Sequence, residues 1–222
     1  MSQTSYSINV INNGNQPWKF LVYQQPPSIT NGLCLAWLTS PYRIAVKDQI
    51  SFNWNLKYSF VWANTGVVRP GVTFKATGVK DCDPNSKNLT NFTYENDTPQ
   101  LSEPTVGGNP GSLTIKDGNT VPSQTFAVGV GMSGKGTFVV NAGPNLTHIF
   151  TPEPKYFVLA ADEVTEGEVM DIETITNPGE LEFPPNVYSL TATLKEDNTW
   201  SIGPSNPPKT AALKAAGSKT KS

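Results

Sequence analysis

With 222 residues the chain is long enough to bury a core without metal or disulfide staples. Only 15% of its residues are charged, against about 25% in a typical soluble domain, and asparagine alone accounts for 20 positions. The net charge of −2 conceals an acidic body, because Lys209, Lys214, Lys219 and Lys221 lie in a C-terminal stretch without an acid; the rest holds 12 basic and 18 acidic residues, which argues against nucleic acid as a partner.

The start, Met1 to Ile8, has neither a basic n-region nor an apolar h-region, and no apolar run reaches the about 18 residues of a membrane helix. No secretory signal and no membrane partner are expected. Period-2 alternation with β-branched and aromatic residues then recurs along the chain. Tyr6–Val10 alternates and stops at the turn signal Asn12-Asn13-Gly14-Asn15. Trp18–Tyr23 follows and ends at Pro26-Pro27. Leu33–Leu38 is continuously apolar, as a strand buried on both faces would be. Ile50–Trp54, Lys57–Trp62 and Val67–Phe74 come next, the last with Pro70-Gly71 as a bulge or edge feature.

From Lys80 to Gly111 the chain turns polar and reads as a long surface excursion with one short strand near Phe92–Tyr94. Strands resume at Ser112–Ile115, Thr125–Val130, Gly136–Val140, Leu146–Phe150 and Tyr156–Leu159, and a last hairpin joins Tyr188–Leu194 to Thr199–Ile202. About a dozen short strands punctuated by glycine and proline predict an all-β fold, an antiparallel β-sandwich in a single domain. The domain is expected over residues 1–204, with a flexible basic Lys/Ala-rich tail over 205–222.

Motifs for chemistry are sparse. Gly129-Val130-Gly131-Met132-Ser133-Gly134-Lys135-Gly136 has the glycines and lysine of a phosphate-binding loop, but Gly136 stands where a magnesium-holding Ser or Thr is needed. The strand-like Thr137-Phe138-Val139-Val140 follows where the mechanism needs a helix N-terminus, so a glycine-rich hairpin is the reading. The single histidine, His148, sits mid-strand without a surrounding motif. Two cysteines and one histidine, far apart, lack zinc-ligand spacing. The acidic run Asp162, Glu163, Glu166, Glu168, Asp171 and Glu173 has no calcium-loop pattern and reads as a solvated loop. No catalytic residue, metal ligand or cofactor is expected. Sequons occur at Asn88, Asn91, Asn96 and Asn145, and the five tryptophans raise a sugar-binding platform as an alternative to core packing.

The cysteines differ in context. Cys34 lies in the apolar Leu33–Trp37 run; Cys82, between Asp81 and Asp83, reads as exposed. A disulfide between molecules, an internal Cys34–Cys82 bridge and two free thiols all remain open.

Ser7-Ile8-Asn9-Val10-Ile11-Asn12-Asn13-Gly14-Asn15-Gln16-Pro17-Trp18, Tyr58–Trp62, Val128–Gly134, Pro144–Thr147 and Asn186–Leu194 together resemble the RhiA-type rhizosphere-expressed proteins over roughly residues 5 to 202. A related group, octin, forms the matrix of octahedral, gravity-sensing vacuolar crystals in mucoralean fungi and is similar to bacterial proteins that form disulfide-linked assemblies. The resemblance implies a non-enzymatic structural protein that self-assembles into homo-oligomers or crystals, in a vacuole if it is an octin. Intermolecular disulfides would help, with Cys82 as the reactive partner and Cys34 as the second candidate. A carbohydrate- or surface-binding β-sandwich module is the alternative function.

Overall fold

A computed structural model describes residues 4–25, 32–153 and 155–205. Among the described residues seventeen strands form four sheets, with a single 3₁₀ turn at Ile172–Thr174. The all-β reading holds, with more and shorter strands than the sequence pattern resolves. Beyond Ser205, the tail lies outside the described residues.

The first sheet has β17 (Trp200–Pro204), β16 (Ser189–Leu194), β1 (Ser5–Asn12) and β5 (Gln49–Asn55) in that order. A second sheet orders β15 (Gly179–Leu181), β14 (Tyr156–Ala161), β2 (Lys19–Gln24) and β4 (Leu38–Thr39). Between them lies a core of Ile8, Val10, Phe20, Val22, Trp37, Phe52, Trp54 and Leu190. The third sheet is β3 (Leu33–Cys34), β12 (Lys135–Asn141), β11 (Ala127–Met132), β6 (Tyr58–Ala63) and β7 (Gly78–Cys82). The fourth is β13 (Thr147–Phe150), β10 (Leu113–Asp117), β8 (Leu89–Glu95) and β9 (Thr98–Leu101). Ladders are antiparallel except β1–β16 and β8–β10, which are parallel.

β2 ties the two halves together. Its Phe20 and Val22 point into the first core, while Leu21 and Tyr23 point into a second core with Phe60, Phe92, Ile115, Val128 and Phe138. A strand buried on both faces must be apolar at every position, which is why Phe20-Leu21-Val22-Tyr23 does not alternate. The Leu33–Thr39 run is apolar for a related reason: it leaves the third sheet at β3 and enters the second at β4, sending Cys34, Leu35 and Trp37 into three different cores.

Two expectations change. The Lys80–Gly111 excursion is mostly strand: β8 and β9 form a hairpin through Asn96 and Asp97, both at positive φ (49° and 58°), as a type I′ turn requires. It escapes the apolar pattern because Asn88 and Thr90 occupy buried positions there. Asn88 Nδ2 donates to the carbonyls of Pro84 and Asn109, and its Oδ1 accepts from Gly107 and Gly108, so this sequon asparagine is a buried loop clamp. Conversely, Val67–Phe74 is no strand; it forms a cover that lays Val68 and Phe74 on the back of the third sheet.

Candidate functional site

The cysteine reading needs correcting. Both thiols are free and buried, Cys34 at 1% exposure and Cys82 at 9%. Cys82 is the last residue of β7, packed inward opposite Tyr58, rather than part of an exposed loop. Cys34 and Cys82 sit on the two outer strands of a five-stranded sheet. Four inter-strand steps separate them by roughly 19 Å, whereas a disulfide needs Cα atoms about 4.4–6.8 Å apart. Burial pushes both thiols up to about 12, with the Asp81 and Asp83 charges adding to the effect at Cys82. Neither an internal bridge nor a disulfide between molecules fits these positions, and disulfide-assisted assembly is therefore set aside.

The Gly129–Gly136 stretch is the β11–β12 hairpin, turning at Ser133 (φ 55°) and Gly134 (φ 80°). Gly129 and Gly131 are glycines because a Cβ would meet the Phe138 and Lys135 carbonyls at 2.0 and 2.4 Å. Lys135 pairs with Glu166 at 2.5 Å. Arg43 engages Glu163 at 3.0 Å and Asp162 at 3.9 Å. The first half of the acidic run is thus a loop latched by two cations, placing Val164 and Val169 on the cores. Among the described residues no group of three or more His, Cys, Asp or Glu is placed to hold a metal ion. His148 Nε2 lies 2.9 Å from Asp117 Oδ2, which also accepts from the Gly143 amide. Neither residue lines the clefts described below.

The strongest candidate for a ligand is a groove along residues 176–183. At one end a cleft of about 440 Å³ is lined by Tyr6, Leu56, Phe183, Lys155, Glu180 and Glu182. Tyr6 is its centre: it stacks on Trp54 at 6.1 Å and meets Phe183 and the half-exposed Tyr188 edge-on at 5.0 and 5.6 Å. Glu180 also lines the next cleft, about 330 Å³, whose floor is Trp200 with Asn177 and Thr199. Trp200 and Asn177 continue into a third hollow, about 120 Å³, with Trp18 and Asn198. Trp200 is fixed by donation from its Nε1 to the Asn177 carbonyl at 3.0 Å and by an edge contact with Phe20. Gly179 lets the ring approach: a Cβ there would lie 2.9 Å from Trp200 Cγ.

Aromatic faces therefore stand at both ends, with carboxylates, amides and a hydroxyl between them. A larger cleft, about 730 Å³ between the turns at Gly14, Lys47 and Glu196, is lined by polar and charged side chains but has no aromatic residue against which a sugar face could pack. Of the five tryptophans, Trp37, Trp54 and Trp62 are buried in the cores, while Trp18 and Trp200 are partly exposed and line the groove along residues 176–183. The groove was not legible in sequence because β15, a three-residue strand, and the turn before it carry no pattern of their own.

The family model for RhiA matches residues 3–205. The chain belongs to the RhiA family. It is 49% identical to Protein RhiA of Rhizobium leguminosarum bv. viciae over 202 residues, covering 90% of this chain and 87% of that protein. No solved structure matches the chain. The narrower octin assignment, with its vacuolar gravity-sensing crystals, does not carry over: it leaned on disulfide-linked assembly, which the buried thiols remove, and the matches reach the RhiA family as a whole. Among the described residues no helix is long and apolar enough to cross a membrane.

Proposed function

We propose that this RhiA-family protein is a non-enzymatic binding module whose groove along residues 176–183 takes a neutral oligosaccharide. The observation that carries the reading is a row of neighbouring clefts, joined by shared lining at Glu180 and then at Asn177 and Trp200, that sets aromatic beside hydrogen-bonding side chains. A sugar ring offers an apolar C–H face to an aromatic surface and hydroxyls at its rim. Tyr6, Phe183 and Trp200 supply the first kind of contact, and Glu180, Glu182, Asn177 and Thr199 the second. Glu180 and Glu182 have no ion-pair partner among the described residues and outnumber the one lysine, Lys155, which favours a neutral chain over an anionic one.

The same carboxylates argue for binding over hydrolysis. Both are solvent-exposed, without the apolar enclosure by which glycosidases keep one carboxyl protonated. The test is a glycan array followed by calorimetric titration of the best neutral ligand. Phe183→Ala and Trp200→Ala should each weaken binding about tenfold, equivalent to about 1.4 kcal/mol, and Glu180→Gln should weaken it while leaving thermal stability unchanged. Binding that is indifferent to all three substitutions moves the site elsewhere. Shortening of the ligand during prolonged incubation would show an enzyme.

A further inference from the structure

The eight sheet edges are not equally protected. β3 and β4 have two residues each, β15 three and β13 four. β9 carries Pro99, β17 carries Pro204, and β7 carries Lys80 and Asp81. These are the devices by which sheet proteins avoid pairing with one another: short edges, proline and charge. β5 has none of them. Gln49-Ile50-Ser51-Phe52-Asn53-Trp54-Asn55 is seven residues long, with no charge, proline or glycine, and among the described residues only β1 pairs with it.

The hydrogen-bond alternation shows which groups this edge presents. Ser7 donates across to Tyr188 and Asn13 to Leu194, so odd-numbered residues of β1 face β16 and even-numbered ones face β5. Through the register Tyr6↔Trp54, Ile8↔Phe52 and Val10↔Ile50, the even-numbered residues of β5 are spent on β1. The backbone groups of Gln49, Ser51, Asn53 and Asn55 point the other way. Gln49 N–H is taken by Asp48 Oδ1 at 2.8 Å and Asn55 N–H by Ser133 Oγ at 3.4 Å. Of the outward-facing residues only Ser51 and Asn53 keep both N–H and C=O open, two residues apart on an exposed edge.

We infer that β5 pairs antiparallel with β5 of a second copy of this chain, about a two-fold axis at Phe52. In that register Ser51 faces Asn53 of the partner copy and the reverse, giving four backbone hydrogen bonds from the groups that lack partners. Ile50 then faces Trp54 on the inner side, and the outer side pairs serine with asparagine. Nothing repels: the outer face of the first sheet has no charged residue on any strand, being built from Ser7, Asn9, Thr191, Ser51, Asn53 and their neighbours. The two four-stranded sheets become one of eight. An edge of seven residues about 24 Å long and one sheet layer, about 10 Å, deep covers roughly 240 Å², well short of an interface of about 800 Å² per partner, so the dimer is weak and depends on concentration.

Sedimentation velocity over a broad concentration range should show the mass double as concentration rises. The pair Ser51→Lys and Asn53→Lys puts like charges directly opposite each other at both contacts and should weaken association by at least about tenfold. Ser201→Lys adds charge to the same face at the far edge and should leave association intact. Hydrogen exchange on the unaltered protein gives a readout independent of any variant: the Ser51 and Asn53 amides should slow as concentration increases. A chain that stays monomeric throughout, a dimer indifferent to the two β5 lysines, or concentration-dependent protection at another strand in place of β5 would each overturn the inference.

Discussion

At the scale of single residues, the buried thiols make a pH prediction. The folded state holds Cys34 and Cys82 protonated up to about 12, against an ordinary 9.0. Tyr23, desolvated beside Cys34, is likewise pushed up to about 12 from 10.0. The native state therefore binds more protons than the unfolded state between these limits. Their contribution to stability is complete below pH 9.0 and is lost as pH rises toward 12, at roughly 1 kcal/mol per pH unit for each thiol. Urea midpoints taken from pH 7 to 11 should fall only above pH 9, and Cys34→Ala should flatten the fall. An alkylating reagent at pH 8 should label neither cysteine until the chain unfolds. At Gly179, an added methyl meets Ile202, Trp200 and Val158 at 2.8–2.9 Å. Gly179→Ala should cost about 1–3 kcal/mol through overpacking and shift tryptophan emission as Trp200 is displaced.

Among the elements, the β11–β12 hairpin shows how a motif and a mechanism separate. Its glycines permit a tight ladder and a positive-φ turn, and its lysine holds an acidic loop. Lys135→Ala should change stability by no more than about 1 kcal/mol, since both partners of the ion pair are partly exposed. Gly129→Ala should prevent folding or lower the melting temperature severely, because the Phe138 carbonyl stands where the Cβ would go and both strands are buried. Circular dichroism melts of the two variants separate a charge role from a packing role. The apolar stretches were readable in the sequence: the strands expected at Tyr6–Val10, Ile50–Trp54 and Lys57–Trp62 lie close to those formed, Ser5–Asn12, Gln49–Asn55 and Tyr58–Ala63. Strands β7 and β9 were not, and of β8 only the part near Phe92–Tyr94 was, since Asn88 and Thr90 are buried through hydrogen bonds rather than apolarity.

For the whole molecule, the sharing of β2 between two cores predicts cooperativity. Phe20 and Val22 on one side and Leu21 and Tyr23 on the other couple both sandwiches through one backbone. Calorimetry should show a single unfolding transition, and Leu21→Ala, which opens a cavity in the second core alone, should move that transition as a whole at a cost of about 2–5 kcal/mol. Two separable transitions would mean that the halves are independent domains.

Local pattern determined the all-β class, the strands with clear apolar alternation and the reading of Gly129–Gly136 as a hairpin, because alternation, glycine and the residue after Lys135 are properties of neighbours in the chain. The family was also readable from short packing and turn motifs such as Asn12–Trp18. Burial of Cys82 was not: flanking aspartates suggested exposure, but in a strand residues on either side point away from the face that Cys82 occupies. The groove was likewise decided only by folding, since Tyr6, Phe183 and Trp200 come from distant segments. The same holds for the β5 edge. Its apolar alternation identifies a strand, but whether that strand is central or lies at a margin depends on pairings made by residues far away along the chain.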